Sequence, residues 1–185
     1  QQLDMACGAG AQCEGNRGQG SCGSLPPNFA CVPGAQGPGV YDGAIFIDDW
    51  DPSITLADFG GLTCVTGSLR VRSGSVIDLA PLSELEMVGG SLGLDYNTSL
   101  LSLSGLEKLR SIGGALDLWS NPVLSDLSGL SHLTSVGATL PPESGGALRI
   151  MDNSALAACH VWTLEAQLQT ACGSALWGGG FQRCT

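Results

Sequence analysis

The chain has 185 residues, enough for one domain with a core, or one domain plus a small appendage, and too few for two full domains. Seven basic residues against seventeen acidic ones give a formal net charge of −10, and Lys108 is the only lysine. That leaves no basic stripe to displace counterions from a nucleic-acid backbone, so no nucleic-acid partner is expected.

No apolar run approaches the roughly 20 residues a membrane-spanning helix needs, and no basic segment leading into an apolar one opens the sequence, so no membrane span is expected. Gln1 suits a terminus left by signal removal, and an artificial boundary would look the same. Eight cysteines, Cys7, Cys13, Cys22, Cys31, Cys64, Cys159, Cys172 and Cys184, are many for a reducing compartment. None forms a CxxC pair, and His132 and His160 are too few to complete a zinc site of the usual kind. Disulfides are the expectation, with a secreted or cell-surface location and no metal or cofactor.

Residues 1–42 form the first unit, a loop-rich cap dense in Gly, Cys and Pro without apolar periodicity. From Gly43 a repeat of 24 residues runs through Gly43 to Thr66, Gly67 to Gly89, Gly90 to Gly113 and Gly114 to Gly145, and Gly146 opens a fifth copy. The second copy is one residue short near Ser73, and the fourth carries eight extra residues, Ala138 to Gly145. Leu92, Leu94, Leu100, Leu103, Leu106, Leu109 and Ile112 correspond in order to Leu116, Leu118, Leu124, Leu127, Leu130, Leu133 and Val136. The first copy answers with Ile45, Ile47, Ile54, Leu56, Phe59, Leu62 and Val65, the second with Leu69, Val71, Ile77, Leu79, Leu82, Leu85 and Val88.

In each copy a Leu-x-Leu pair alternates as a short strand does, and later apolar residues recur every three positions, too tightly for an amphipathic helix. One copy cannot bury its own apolar side, so neighbours must stack into parallel sheets with strands about 4.8 Å apart. The expected fold is therefore mainly β, a parallel β-helix or solenoid of about five 24-residue rungs over residues 43–158. Asn97, Asn121 and Asn153 fall at one place in three successive copies and are expected to form an inward amide ladder. That discounts the glycosylation sequon Asn97-Thr98-Ser99. Residues 159–185 read as a C-terminal helix and disulfide cap: Val161, Leu164 and Leu168 recur at helical spacing, and Gly173 can end the helix that seals the stack.

The Gly67-Ser-Leu-Arg-Val, Gly90-Ser-Leu-Gly-Leu and Gly114-Ala-Leu-Asp-Leu strands, with the segments SGLEKLRSIGG and SGLSHLTSVG and the Asn turn, resemble the receptor L domain. That family is the leucine-rich β-helical module of insulin and epidermal-growth-factor receptors and of microbial surface proteins. The resemblance covers about residues 43–170 and implies a short right-handed parallel β-helix capped at both ends. It also implies that Cys64 is bridged back to the N-terminal segment, and that the stretch from Asn153 to Cys159 leads into the closing helix. The cysteine-rich start departs from the family pattern.

Chemistry in the acidic turns is one candidate. Asp48, Asp49 and Asp51 cluster after the first strand, with Asp95 and Asp152 at related places, but a carbohydrate-active enzyme needs two carboxylates facing one cleft roughly 5 to 9.5 Å apart. No calcium loop of the Asp-x-Asp-x-Asp-Gly type appears. No nucleophile motif accompanies either histidine. A second candidate is the outward side of the first sheet, carrying Phe46 and Asp48, Arg70 and Arg72, Gly93 and Asp95, Asp117 and Trp119, and Arg149 and Met151. Exposed Phe, Trp and Met beside Arg resemble interface anchors; the alternative is scattered surface groups, or groups lying under the N-terminal cap. A third is an ice-binding or purely structural face along the small residues Ala44, Ser68, Ser91, Ala115 and Ala147.

The expectation is a non-catalytic extracellular binding or structural module that recognises a protein or glycan through the first-sheet face. The cysteines divide five to three between the ends of the stack, about 19 Å apart over four rungs, and a disulfide needs Cα atoms within about 7 Å. One unpaired cysteine is then expected at each end, which opens self-assembly through it. Cys159 and Cys172 would stand at opposite ends of the closing helix, so Cys184 takes one of them. The family's closing bridge favours Cys159.

Overall fold

The computed structural model describes residues 31–138, 147–168 and 176–177. Cys7, Cys13 and Cys22 of the expected cap lie outside the described residues, as do Cys172, Cys184 and most of the insertion in the fourth copy.

The chain is mainly β. The first four copies each contribute one four-residue and one two-residue strand, because only the Leu-x-Leu segment alternates long enough for a full strand. The short strands are β1 (Val40–Tyr41), β3 (Cys64–Val65), β5 (Met87–Val88), β7 (Ser111–Ile112) and β9 (Ser135–Val136). The longer ones are β2 (Ile45–Asp48), β4 (Leu69–Arg72), β6 (Leu92–Asp95), β8 (Leu116–Trp119) and β10 (Leu148–Met151); α1 (Ala158–Gln167) and β11 (Leu176–Trp177) follow. Two parallel sheets result, ordered β1-β3-β5-β7-β9 and β2-β4-β6-β8-β10-β11. In the second sheet Ile45 pairs with Leu69, Leu69 with Leu92, Leu92 with Leu116 and Leu116 with Leu148, the register of the sequence repeat. The first sheet begins at Val40, N-terminal to Gly43.

Both sheets and the intervening segments share one apolar core. Leu92, Leu94, Leu116, Leu118, Leu148 and Ile150 are all buried in it, as expected, together with Val65, Val88, Ile112 and Val136 from the other sheet. Between the longer and the shorter strand of the first, second and fourth copies run 3-10 turns at Leu56–Phe59, Ala80–Leu82 and Ser128–Leu130. Successive copies approach so closely there that a Cβ on Gly105, whose φ is +107°, would meet the Leu79 carbonyl oxygen at 2.0 Å. The Ser-Gly-Leu segment therefore tolerates no larger residue at that point.

The register differs from the sequence alignment at one corner. Ile54 and Ile77 were set against Leu100, but the Leu101 N–H bonds to the Ile77 carbonyl, and Ile54, Ile77 and Leu101 are exposed. Val76, partly buried against the core, is the counterpart of Leu100. Adjacent apolar residues at 76–77 and 100–101 offer two alignments, and packing selects the one that buries the first of each pair.

The asparagines form the expected ladder. Asn121 Oδ1 accepts from the Asn97 N–H and from Asn97 Nδ2, while Asn153 Oδ1 does the same for Asn121, all at 3.0–3.1 Å. Each Nδ2 also reaches a strand carbonyl of the preceding copy: Val71, Leu94 and Leu118 for Asn97, Asn121 and Asn153. The ladder continues where asparagine stops, since the Ser73 N–H donates to Asn97 Oδ1 and Ser73 Oγ donates to Asp49. Asn97 is fully buried with both side-chain atoms engaged, so its amide is not presented for glycosylation.

Helix α1 buries Val161 and Leu164 in the shared core, and Leu168, which ends it, is buried there too. Gln167 Nε2 donates to the carbonyls of Leu130 and Leu133, both at 2.7 Å, tying the end of the helix to the fourth copy. Strand β11 pairs with β10 on the same side of the stack. Near the other end, Cys31 and Cys64 are disulfide-bonded, with Cα atoms 5.7 Å apart. Cys159 is also disulfide-bonded; its preferred partner, Cys184, and the cysteines expected to stay unpaired lie outside the described residues.

Two truncations separate packing from ladder bonding. Leu116→Ala should cost about 2 to 5 kcal/mol through the cavity it leaves. Asn121→Ala should cost about 2 to 4 kcal/mol, because the Asn97 N–H and the Leu94 carbonyl lose their partner while buried. Denaturant unfolding reads both, and a loss below about 1 kcal/mol for Asn121→Ala would show the ladder to be passive.

Candidate binding face

The face expected on the Leu-x-Leu sheet, the first sheet of the sequence repeat, is the outer face of the second sheet, β2-β4-β6-β8-β10-β11, and its outward residues lie where strand alternation puts them, in two files across the parallel strands. Phe46, Arg70, Gly93, Asp117 and Arg149 form one file, and Asp95, Trp119 and Met151 belong to the other. Phe46 is 59% exposed and Trp119 42%, while Arg70, Arg72 and Arg149 are exposed and Met151 is half-buried. Gly93 and Asp95 differ from the rest, both being buried at outward positions, Asp95 with only 2% exposure.

Arg70 is the reason. Its Nε bonds Asp95 Oδ2 at 2.5 Å, and the guanidinium arm crosses Gly93 to reach it. A Cβ at Gly93 would stand 3.4 Å from Arg70 Cγ and Nε, so the glycine gives the arginine its path across the strand. Asp95 is thus a residue that holds Arg70 in place, and its Oδ1 is buried without a hydrogen-bond partner. One strand further on, Arg149 Nε bonds Asp117 Oδ1 at 2.7 Å. The centre of the face is a row of two ion pairs, Arg70 with Asp95 and Arg149 with Asp117, with the two carboxylates on the inside.

Beside this centre lies an aromatic shelf. Tyr96 and Trp119 have ring centroids 5.4 Å apart at 45°, and the Arg72 guanidinium sits 4.6 Å from the Tyr96 ring centroid. Trp119 Nε1 donates to Asp152 Oδ2 at 2.9 Å, fixing the indole. Tyr96 reaches the shelf because it turns the chain: Tyr96, Ser120 and Asp152, each just ahead of a ladder asparagine, have φ of +55° to +56°. That left-handed conformation costs a bulky side chain about 1 kcal/mol or more. Counting outward positions along the strand missed Tyr96. The available signal was the missing residue near Ser73, since the second copy lacks the position that Tyr96 fills in the third.

The acidic turn residues are occupied locally. Asp48 Oδ1 accepts from the Trp50 and Asp51 N–H groups, and Asp51 accepts from Ser53. Hydrogen bonds from Ser73 and then Gly74 hold the Asp49 carboxyl below the ordinary carboxylate range, and Ser53 does the same for Asp51. Among the described residues no group of three or more His, Cys, Asp or Glu could hold a metal ion. His160 stands 3.8 Å from Asp126, and His132 is exposed, 3.4 Å from Ser131 Oγ. In the file of small residues Ala115 and Ala147 are buried, and Ser68 and Ser91 Oγ accept from the Ser91 and Ala115 N–H groups. That file is part of the packing between copies and offers no flat outer surface.

No helix among the described residues is long and apolar enough to cross a membrane. A scan of protein-family models finds no match, and a search of curated proteins finds none.

Burial pushes the Asp117 carboxyl above its ordinary range, against the pull of Arg149 and with a further push from Asp95. A carboxyl raised in the folded state adds stability that is present below its unfolded value and lost as pH rises through the folded one. Asp117→Asn should therefore raise the melting temperature at pH 7, with the advantage shrinking as pH falls through the raised folded value towards the ordinary carboxylate range. A lower melting temperature at pH 7 would mean that the Arg149 pair outweighs burial.

Proposed function

We propose that the chain is a short right-handed parallel β-helix of the receptor L type, and that it serves as a non-catalytic extracellular binding module. The repeat register, the Asn ladder and the disulfide at Cys64 support the fold reading. The disulfides at Cys31–Cys64 and at Cys159 suit an oxidising compartment, hence secretion or surface display. The partner is a protein or a glycan that meets the outer face of the second sheet.

The observation that carries this reading is the combination of exposed Phe46, Tyr96 and Trp119 with arginines fixed by carboxylates and by a ring. Loose surface residues would not be held in this way. Aromatic and arginine groups with restricted rotamers lose little entropy on binding and dominate recognition energetics. The acidic turns support no competing catalytic reading, because their carboxylates cap local backbone and hydroxyl groups.

The test is a glycan array together with pull-down from a native cell-surface extract, each run with the unaltered chain and with Trp119→Ala. The retained ligand should be lost or weakened by about 2 kcal/mol or more in the variant, with the melting temperature little changed. A large drop in stability would make Trp119 a packing residue, and unchanged retention would remove the face from the account.

A further inference from the structure

Resting on this binding-face reading, we propose that Arg72, Tyr96, Trp119 and Asp152 form a saccharide subsite whose sugar carries a carboxylate. Three observations converge on it. The first is charge. Three of the seven basic residues of a chain with net charge −10 lie on this one face. Arg70 and Arg149 are neutralised by Asp95 and Asp117, whereas no carboxylate among the described residues lies within salt-bridge distance of Arg72. The Tyr96 ring holds the Arg72 guanidinium instead, so its N–H fork is exposed and in no ion pair among the described residues, with Asp48 its register neighbour on the adjoining strand. A planar fork of this kind matches a carboxylate in bidentate fashion.

The second is shape. Tyr96 and Trp119 are each about two-fifths exposed and tilted at 45°, an apolar step of roughly the size of a pyranose C–H face. The rim around the step is polar: Thr98 and Asp152 are exposed and Ser120 is half-buried. Asp152 gives one oxygen to the Trp119 indole, while its Oδ1 accepts from no described residue and can take sugar hydroxyls. A protein hot spot is typically ringed by contacts that exclude water; a saccharide suits an apolar step in a hydroxyl- and carboxylate-bearing rim.

The third is strain. Tyr96 occupies a left-handed position, with φ +56°, where Gly or Asn would sit with less cost. Ser120 and Asp152 take the same turn, so the conformation belongs to the ladder; particular to the third copy is a bulky ring there, between the Arg72 guanidinium and the Trp119 indole on the outer face.

The experiment titrates the full chain by calorimetry with tri- and tetrasaccharides of galacturonate and with neutral galactose oligomers of equal length. Arg72→Gln, Trp119→Ala, Tyr96→Asn and the off-face control Lys108→Gln accompany it, each checked by thermal melting. The acidic oligomers should bind at least tenfold more tightly than the neutral ones. Arg72→Gln should abolish that preference, Trp119→Ala should weaken both by tenfold or more, and Tyr96→Asn should melt higher yet bind about tenfold more weakly, with Lys108→Gln unchanged. Equal or tighter binding of neutral oligomers, a preference that survives Arg72→Gln, or no saccharide bound by the folded chain overturns the acidic-sugar subsite. The face reading itself falls only if a ligand found by array or pull-down is indifferent to Trp119→Ala, so the two failures are separable.

Discussion

Stacking successive copies of a short repeat about 4.8 Å apart sets one requirement on which the rest depends: at every turn, backbone groups that cannot join a sheet must still find partners. In the third to fifth copies the chain meets it with one side chain per copy. Asn97 and Asn121 each join the preceding copy to the following one, Asn153 closes the ladder on the preceding copy, and their burial makes the bonds costly to break. The leucine core could form with the copies slightly rotated or slipped, because apolar contact has no direction. The amide ladder has direction, and together with the strand pairing and the packing it fixes the register of the copies.

The same device shapes the outer surface. To turn an asparagine inward straight after a strand, the chain passes through a left-handed residue, and that residue's side chain emerges beside the outward file of the sheet. Tyr96 and Asp152 reach the face in this way, so the interior bonding and the exposed shelf are two sides of one turn. Where the second copy lacks the extra residue, Ser73 takes the ladder position and Arg72 stands next to the Tyr96 ring. A one-residue change inside the repeat thus alters what the surface carries without breaking the ladder.

Much of this was legible in the sequence for a physical reason. A stacked repeat writes the same burial demand at the same place in each copy, so Leu92 and Leu116 identify each other, and the asparagines stand out as polar residues in file. What stayed hidden has equally specific causes. Paired apolar residues such as Val76 and Ile77 leave register ambiguous by one. Tyr96 is invisible to strand counting because its backbone leaves the strand. Asp95 reads as an exposed carboxylate until Gly93 is seen to let Arg70 fold over it. Side chains that cover one another across copies 23 or 24 residues apart are not written in local pattern.

The claim at the centre is that the asparagine ladder is as rigid as the core it borders. Hydrogen exchange by NMR reads this directly, by comparing the Asn97 and Asn121 backbone amides and the Asn121 side-chain amide with the backbone amides of Leu116 and Leu118. The account predicts that all exchange only through the same global opening, with equal protection. Ladder amides that exchange rapidly while the Leu116 and Leu118 amides stay protected would contradict it.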